Sequence, residues 1–301
     1  MRYLLATLLL LTFPGPDPPW RSATTVPSLD LSWTPSRPVQ GSMVRLTVRP
    51  DTLDLAADIS AVKGLMARQA LHFQSDGAGG FEALGGIPIN VADSIQLVLT
   101  LIHATGSSER IVRYLPVARG QFSSTQLSVD PRFVNPPDSA LLVRIAAERD
   151  SVRRVTRRSH ATPRMWAEAF ALPRDSRMTS PFGQRREFNG EVRSLHLGTD
   201  LAGQVGAPVA AANRAVVALV DDFYYAGSLV YLDHGLGLMT AYLHLSEVFV
   251  AVGDTVARGE HIGRVGASGR VTGPHLHWIA RYGDVPVSPL SLLDIEAFPP
   301  D

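Results

Sequence analysis

Residues 273–278 read GPHLHW, which sets His275 and His277 two positions apart behind a Gly-Pro pair. In an extended strand, side chains alternate between faces, so these imidazoles emerge on one face about 7 Å apart. That separation is too long for a ring-to-ring hydrogen bond and suits two imidazoles converging on one object. Upstream, SLHLGTD places His196 and Asp200 with three residues between them. A straight strand would hold these two about 13 Å apart, but Gly198 permits a bend. His196, Asp200 and one histidine of the HLH pair then make two imidazoles and one carboxylate. That is the three-ligand set of a catalytic zinc, with the fourth position open to water. No HExxH occurs in the chain, so the glutamate base of that metalloprotease type is missing. Proton handling falls to the other histidine of the pair and to His244 in AYLHLS.

Composition narrows the chemistry further. The 301 residues include no cysteine, which excludes disulfides, thiolate zinc sites and cysteine nucleophiles. Any metal must be held by nitrogen and oxygen. The formal net charge is zero, so nothing argues for a nucleic-acid partner. Apolar residues make up 45% of the chain, enough for real cores, and the length suggests roughly two domains. Six of the nine histidines lie between 196 and 277. The sole lysine is Lys63, which removes a lipoyl- or biotinyl-carrier reading of GAPVAAANRAVVALV and VAVGDTVARGEHIG, since such a carrier needs a lysine at its modification turn. A two-histidine, one-carboxylate iron oxygenase also takes three protein ligands, but its usual His-x-Asp/Glu pair is absent here.

The elements that must position these residues follow from periodicity. MRYLLATLLLLTF carries one positive charge and an apolar run too short to span a bilayer, so residues 1–23 read as a signal peptide or N-terminal anchor. Export to the periplasm or cell envelope is expected, with membrane association possible through this segment. LDLSW, MVRLTV, ALHF, IQLVLTLI, IVRYLPV and TQLSV, separated by Gly, Asp, Asn and Ser clusters, predict a small Ig-like β-sandwich over 28–134. His72 and His103 read there as structural or surface residues. Residues 138–159 change to helical spacing, with Leu141, Leu142, Ile145, Val152 and Val155 on one side, inside a basic linker over 135–172. Its arginines, Arg149, Arg153, Arg154, Arg157 and Arg158, read as a solvated face bridging two domains rather than a patch for an anionic polymer. His160 lies in this linker. From 173 to 297 the chain turns to strands and tight turns. Glycines 253, 259, 263, 266 and 269 lack the ending of a phosphate loop and read as β-turns. His234 in DHGLG reads as a turn residue near the site, and His261 as a packed or surface residue.

HLGTD, YLHLS and GPHLHW, in this order, resemble the lysostaphin-type (LytM-like) zinc metalloendopeptidases, which cut the peptide part of peptidoglycan. The similarity runs from about Ser180 to Leu293 and takes in SPFGQRR, GAPVAAA and VAVGDTVARGEHIGRVGASG. The resemblance implies an all-β fold with an antiparallel peptidase domain. It implies Zn2+ on His196, Asp200 and His277, with His244 and His275 as catalytic residues. It also implies peptidoglycan peptides as substrate, cut through a metal-activated water. The preceding strands look like the β-sandwich of some exported members. Asn213-Arg214 departs from the family, which often has glycine there. An inactive member that activates a cell-wall amidase is the alternative, and such members typically lose ligands that are all present here.

Overall fold

The computed structural model describes residues 29–52, 58–135, 137–190 and 192–295. The apolar leader lies outside them. Among the described residues, eight strands occupy the N-terminal part: β1 (Leu29–Thr34), β2 (Met43–Pro50), β3 (Ile59–Met66), β4 (Gln69–His72), β5 (Gln74–Ser75), β6 (Phe81–Gly86), β7 (Ser94–His103) and β8 (Ser108–Pro116). They form two antiparallel sheets, β1-β2-β6-β5 and β4-β3-β7-β8. β7 buries Ile95, Leu97, Leu99 and Leu101 and leaves Ser94 and Gln96 outside, the alternation of a strand with one dry face. β4 and β5 are separated by one residue and cross from one sheet to the other.

β9 (Ser124–Leu127) does not join these sheets. It pairs in parallel with a strand near the histidine cluster, so TQLSV serves a different sheet from the one its position suggests. The single α-helix among the described residues, α1 (Ser139–Ser159), begins at Asp138, whose carboxylate accepts from the Leu141 N–H and so satisfies an otherwise free donor of the first turn. Val152 and Val155 pack on a cluster of Phe223, Leu229, Tyr231, Met239, Ala241 and Leu243. The helix therefore lies against the C-terminal sheet instead of bridging two bodies. Ile145 is buried, whereas Leu142 is 54% exposed and takes no part in that packing. The five arginines face solvent.

The C-terminal strands are β10 (Met178–Ser180), β11 (Arg185–Phe188), β12 (Val192–Leu195), β13 (Thr199–Ala202), β14 (Pro208–Ala210), β15 (Ala215–Phe223), β16 (Gly227–Gly235), β17 (Leu238–Val248), β18 (Thr255–Val256), β19 (His261–Val265), β20 (His275–Tyr282) and β21 (Val285–Val287). The main sheet runs β10-β13-β20-β17-β16-β15-β18, with β14, β19 and β21 attached at its margins, and every pair in it is antiparallel. β9, β11 and β12 form a small separate sheet. Both faces of the centre are dry. Leu229 and Tyr231 of β16 face α1, while Val230 and Leu232 join the core shared with the N-terminal strands. Strands dry on both faces need apolar residues at successive positions, as in SLVYLD and LMTAYL. Gly263 is inside β19 and not in a turn; a Cβ there would stand 2.5 Å from the Glu247 carbonyl.

The remaining expectations fall on packing. His234 is not a turn residue at the site: it is fully buried in β16, where Nδ1 donates to the Arg214 carbonyl and Nε2 meets Thr240 Oγ1. His72 and His160 bond to each other at 2.8 Å, and His103 bonds to Asp58. His261 is exposed. Asn213 is buried and donates to the Glu168 carbonyl, so the departure at 213–214 is absorbed locally.

Candidate metal centre

β20 positions the HLH pair. It lies between β13 and β17, with Asp200 opposite His277 and Ala202 opposite His275. Leu276, Trp278 and Ala280 point into the core at zero exposure, which fixes the register and sends His275 and His277 to the opposite face. A one-residue slip would bury both imidazoles and expose Trp278.

The bend at Gly198 brings His196 back onto Asp200. His196 Nε2 lies 2.9 Å from Asp200 Oδ1 and 2.9 Å from His277 Nδ1, and His277 Nδ1 lies 2.7 Å from the same carboxylate oxygen. Gly198 is required for close approach: a Cβ would sit 2.6 Å from His277 Cε1 and from the Trp278 carbonyl. His196 and Asp200 are 3% and 5% exposed.

Tautomers follow from the backbone acceptors around the rings. A carbonyl can only accept, so His196 Nδ1 donates to Pro181, His244 Nδ1 to Ser268 and His275 Nδ1 to Gly273. In the neutral ring each Nε2 is then a lone pair. His196 Nε2 thus faces a carboxylate oxygen at hydrogen-bond distance, an acceptor against an acceptor, which is stable only with a further proton or a cation between them. His196, Asp200 and His277 each offer one ligand atom, all within 4.8 Å of one another. The donor set, two neutral imidazoles and a carboxylate, fits a borderline cation such as Zn2+. Carbonyls that fix ligand tautomers are the usual outer support of such sites.

Two more histidines close the arrangement. His275 Nε2 is buried without a hydrogen-bond partner and lies 3.6 Å from Asp200 Oδ1. The His244 ring centroid is 5.0 Å from His275 and 5.8 Å from His277. Its backbone sits at φ +64°, a left-handed conformation costing a non-glycine residue of order 1–3 kcal/mol. Such strain marks a position where aiming the side chain outweighs local preference. Burial pushes His277 down to about 4 and His244 down to about 3, which keeps both rings neutral. Burial pushes the Asp200 carboxyl up, but the electrostatic pull of the His196 and His277 rings beside it outweighs this and holds it well below the carboxylate range.

Residue spacing did not single out the arginines around this cluster. Arg186 Nη2 donates to Asp200 Oδ2 at 2.6 Å, occupying the carboxylate oxygen that faces away from the histidines. Arg270 lies over the rings of Phe188 and Tyr225. A signal existed in SPFGQRR and in the basic residue ahead of GPHLHW, but neither spacing nor periodicity says where a long flexible side chain ends. Two cavities flank the cluster. One, of about 380 Å³, is lined by Leu127, Val129, Thr179, Asp200, His244 and His275. The other, of about 200 Å³, is lined by Leu195, His196, Tyr225, Leu243, His244 and His277. Leu127 and Val129 show why β9 leaves the N-terminal sheets: it supplies a wall of the cleft.

The match to peptidase family M23 covers residues 194–289. Over 103 residues the chain is 45% identical to the peptidoglycan DD-endopeptidase ShyA of Vibrio cholerae, a stretch that is 34% of this chain and 24% of ShyA. Over 117 residues it is 41% identical to the DD-carboxypeptidase/endopeptidase Mpg of Neisseria meningitidis, 39% of this chain and 27% of Mpg. The matched stretch therefore spans about a quarter of the length of these curated relatives. The crystal structure of a candidate peptidase M23 from Pseudomonas aeruginosa superposes with a TM-score of 0.63 at 25% identity, covering 85% of this chain and 94% of that one. Its coverage extends the likeness beyond the histidine-bearing strands to most of the fold. Residues 194–289 are thus a peptidase M23 domain of the lysostaphin (LytM) type, the type whose motifs the sequence resembles.

Proposed function

We propose that the chain is a zinc-dependent endopeptidase that hydrolyses peptide bonds in peptidoglycan stems or cross-links. In this reading His196 Nε2, Asp200 Oδ1 and His277 Nδ1 hold the metal, and His244 and His275 are the catalytic histidines. The observation that carries it is the convergence of those three ligand atoms beside an unpartnered His275 Nε2. When bound, zinc supplies Lewis acidity toward a carbonyl oxygen and a water acidified to near neutral pH.

The chain's own residues do the rest. His275 commits its Nδ1 proton to Gly273, so Nε2 is free to take a proton from the attacking water. His244 is oriented in the same way by Ser268. Once protonated, either Nε2 can hydrogen-bond to the developing oxyanion or return the proton to the leaving amine. The two cavities leave room for peptide on both sides of the cluster. Among the described residues Asp200 is the only carboxylate lining either of them, whereas ordinary glycan hydrolysis requires two. The DD-endopeptidase relatives support a peptide bond as the target. The apolar leader and an extracytoplasmic substrate together support export.

Muropeptide dimers incubated with the purified chain alone, with and without a zinc chelator, provide the test. Chelator-sensitive conversion to monomers is expected. Dimers that persist at every zinc level, while an added amidase is stimulated, would replace this reading with that of an inactive regulator.

A further inference from the structure

Arg270 is a cation in the cleft that no carboxylate among the described residues neutralises. Its guanidinium lies 4.2 Å from the Phe188 ring centroid and 4.5 Å from that of Tyr225, and its backbone N–H donates to the Tyr225 carbonyl. It lines both cavities, as His244 does. Among the described residues its side chain makes no hydrogen bond and no ion pair. The charged neighbour that acts on it is Arg186, a second guanidinium, whose Nη2 is already paired with Asp200. Arg177 lines the larger cavity as well, so three arginines stand against one carboxylate.

A partly buried, unpaired charge is costly to maintain. Stacking between two rings fixes the guanidinium plane and leaves its N–H donors open to the cleft, without an acceptor among the described residues. Five donors in a rigid fork match the two oxygens of a carboxylate. We infer that Arg270 is the docking point for a carboxylate of the substrate, so that the peptide cut here carries a free acidic group beside the scissile amide. This rests on the endopeptidase reading above and narrows it: amidated stems would be poor substrates. Arg270 is in this sense a specificity residue; its fork meets the substrate, not the reacting water.

The test uses the zinc-loaded full chain and two muropeptide dimers that differ only in whether the carboxyl beside the cross-link is free or amidated. The wild type is expected to favour the free acid by roughly 10- to 100-fold in kcat/KM, the scale of a charge-assisted hydrogen bond. Arg270→Gln should collapse that ratio toward one, with zinc content still one per chain, and Arg270→Lys, which keeps charge and stem packing, should restore part of it. Equal kcat/KM on acid and amide in the wild type would overturn the inference. So would an equal proportional loss on both dimers in Arg270→Gln. Calorimetric binding of the same two peptides to zinc-loaded His275→Ala, alone and combined with Arg270→Gln, separates this inference from its parent. If the wild type cuts neither dimer, the endopeptidase reading fails. In that case acid-selective binding that depends on Arg270 still supports the carboxylate site, and equal binding of acid and amide refutes it.

Discussion

Gly198→Ala should damage metal binding without touching a ligand. The added Cβ would lie 2.6 Å from His277 Cε1, 2.8 Å from His277 Nε2 and 2.6 Å from the Trp278 carbonyl, whereas carbon contacts are comfortable from about 3.5 Å. Relief requires a movement of roughly 0.9 Å. The Trp278 carbonyl cannot supply it, because β20 is paired on both sides, so the backbone at 198 must back away from that carbonyl and the imidazole of His277 must turn away. A metal ligand tolerates only about 0.2 Å of displacement. Without metal the ring is free to rotate, so the overpacking cost, about 1–3 kcal/mol, falls mainly on the loaded state. At about 1.4 kcal/mol per tenfold, zinc affinity should fall roughly 5- to 150-fold. Competition against a chelating zinc indicator measures this. Gly273→Ala is the matched control in the same cleft, since a Cβ there meets nothing within 4 Å and its zinc affinity should hold. A Gly198→Ala chain that binds zinc as tightly as wild type would refute the steric reasoning.

Other outcomes follow from the same geometry. His277→Ala should lose most of its zinc, while His275→Ala should keep it and lose turnover by about 10²–10⁴-fold; elemental analysis beside a dimer-cleavage assay separates the two roles, and metal loss in both would merge them. Arg186→Met leaves Asp200 Oδ2 without its 2.6 Å donor and should weaken zinc binding about 10–100-fold, with an unchanged affinity ruling out a supporting role for the guanidinium. Burial lowers His234 to about 4, whereas the unfolded chain protonates near 6.5, so unfolding takes up a proton between those values. Stability attributable to His234 is therefore complete above pH 6.5 and declines toward pH 4 by on the order of 3 kcal/mol. Urea unfolding at several pH values should show a shallower acid loss in His234→Gln than in wild type, and identical slopes would contradict the assignment.

How much of this was legible in the sequence differs by residue. The HLH pair was readable because strand alternation is local: two positions apart means one face, and Leu276 and Trp278 as neighbours leave that face only one way to turn. The bend between His196 and Asp200 was readable as a possibility through Gly198, but its cause was not. The glycine is needed because His277, distant in sequence, passes within contact of it. His234 was misread because Gly235 and Gly237 suggest a turn, while the buried acceptors that hold its ring, the Arg214 carbonyl and Thr240, are long-range partners or depend on the hairpin closing. β9 carried the period of a sandwich strand, and period cannot say which sheet a strand joins. Its pairing with β11 also supplies a wall of the cleft. The places of Arg186 and Arg270 were not readable for the same reason: their partners are set by tertiary packing, not by spacing along the chain.

The most direct measurement is an anomalous difference map at the zinc absorption edge, from crystals of the full chain grown with zinc. One peak per chain is expected, at about 2.0–2.2 Å from His196 Nε2, Asp200 Oδ1 and His277 Nδ1, with His244 and His275 outside bonding distance. A map with no peak at that point, or a peak coordinated by His244 or His275 instead, would contradict the ligand set on which the proposed chemistry depends.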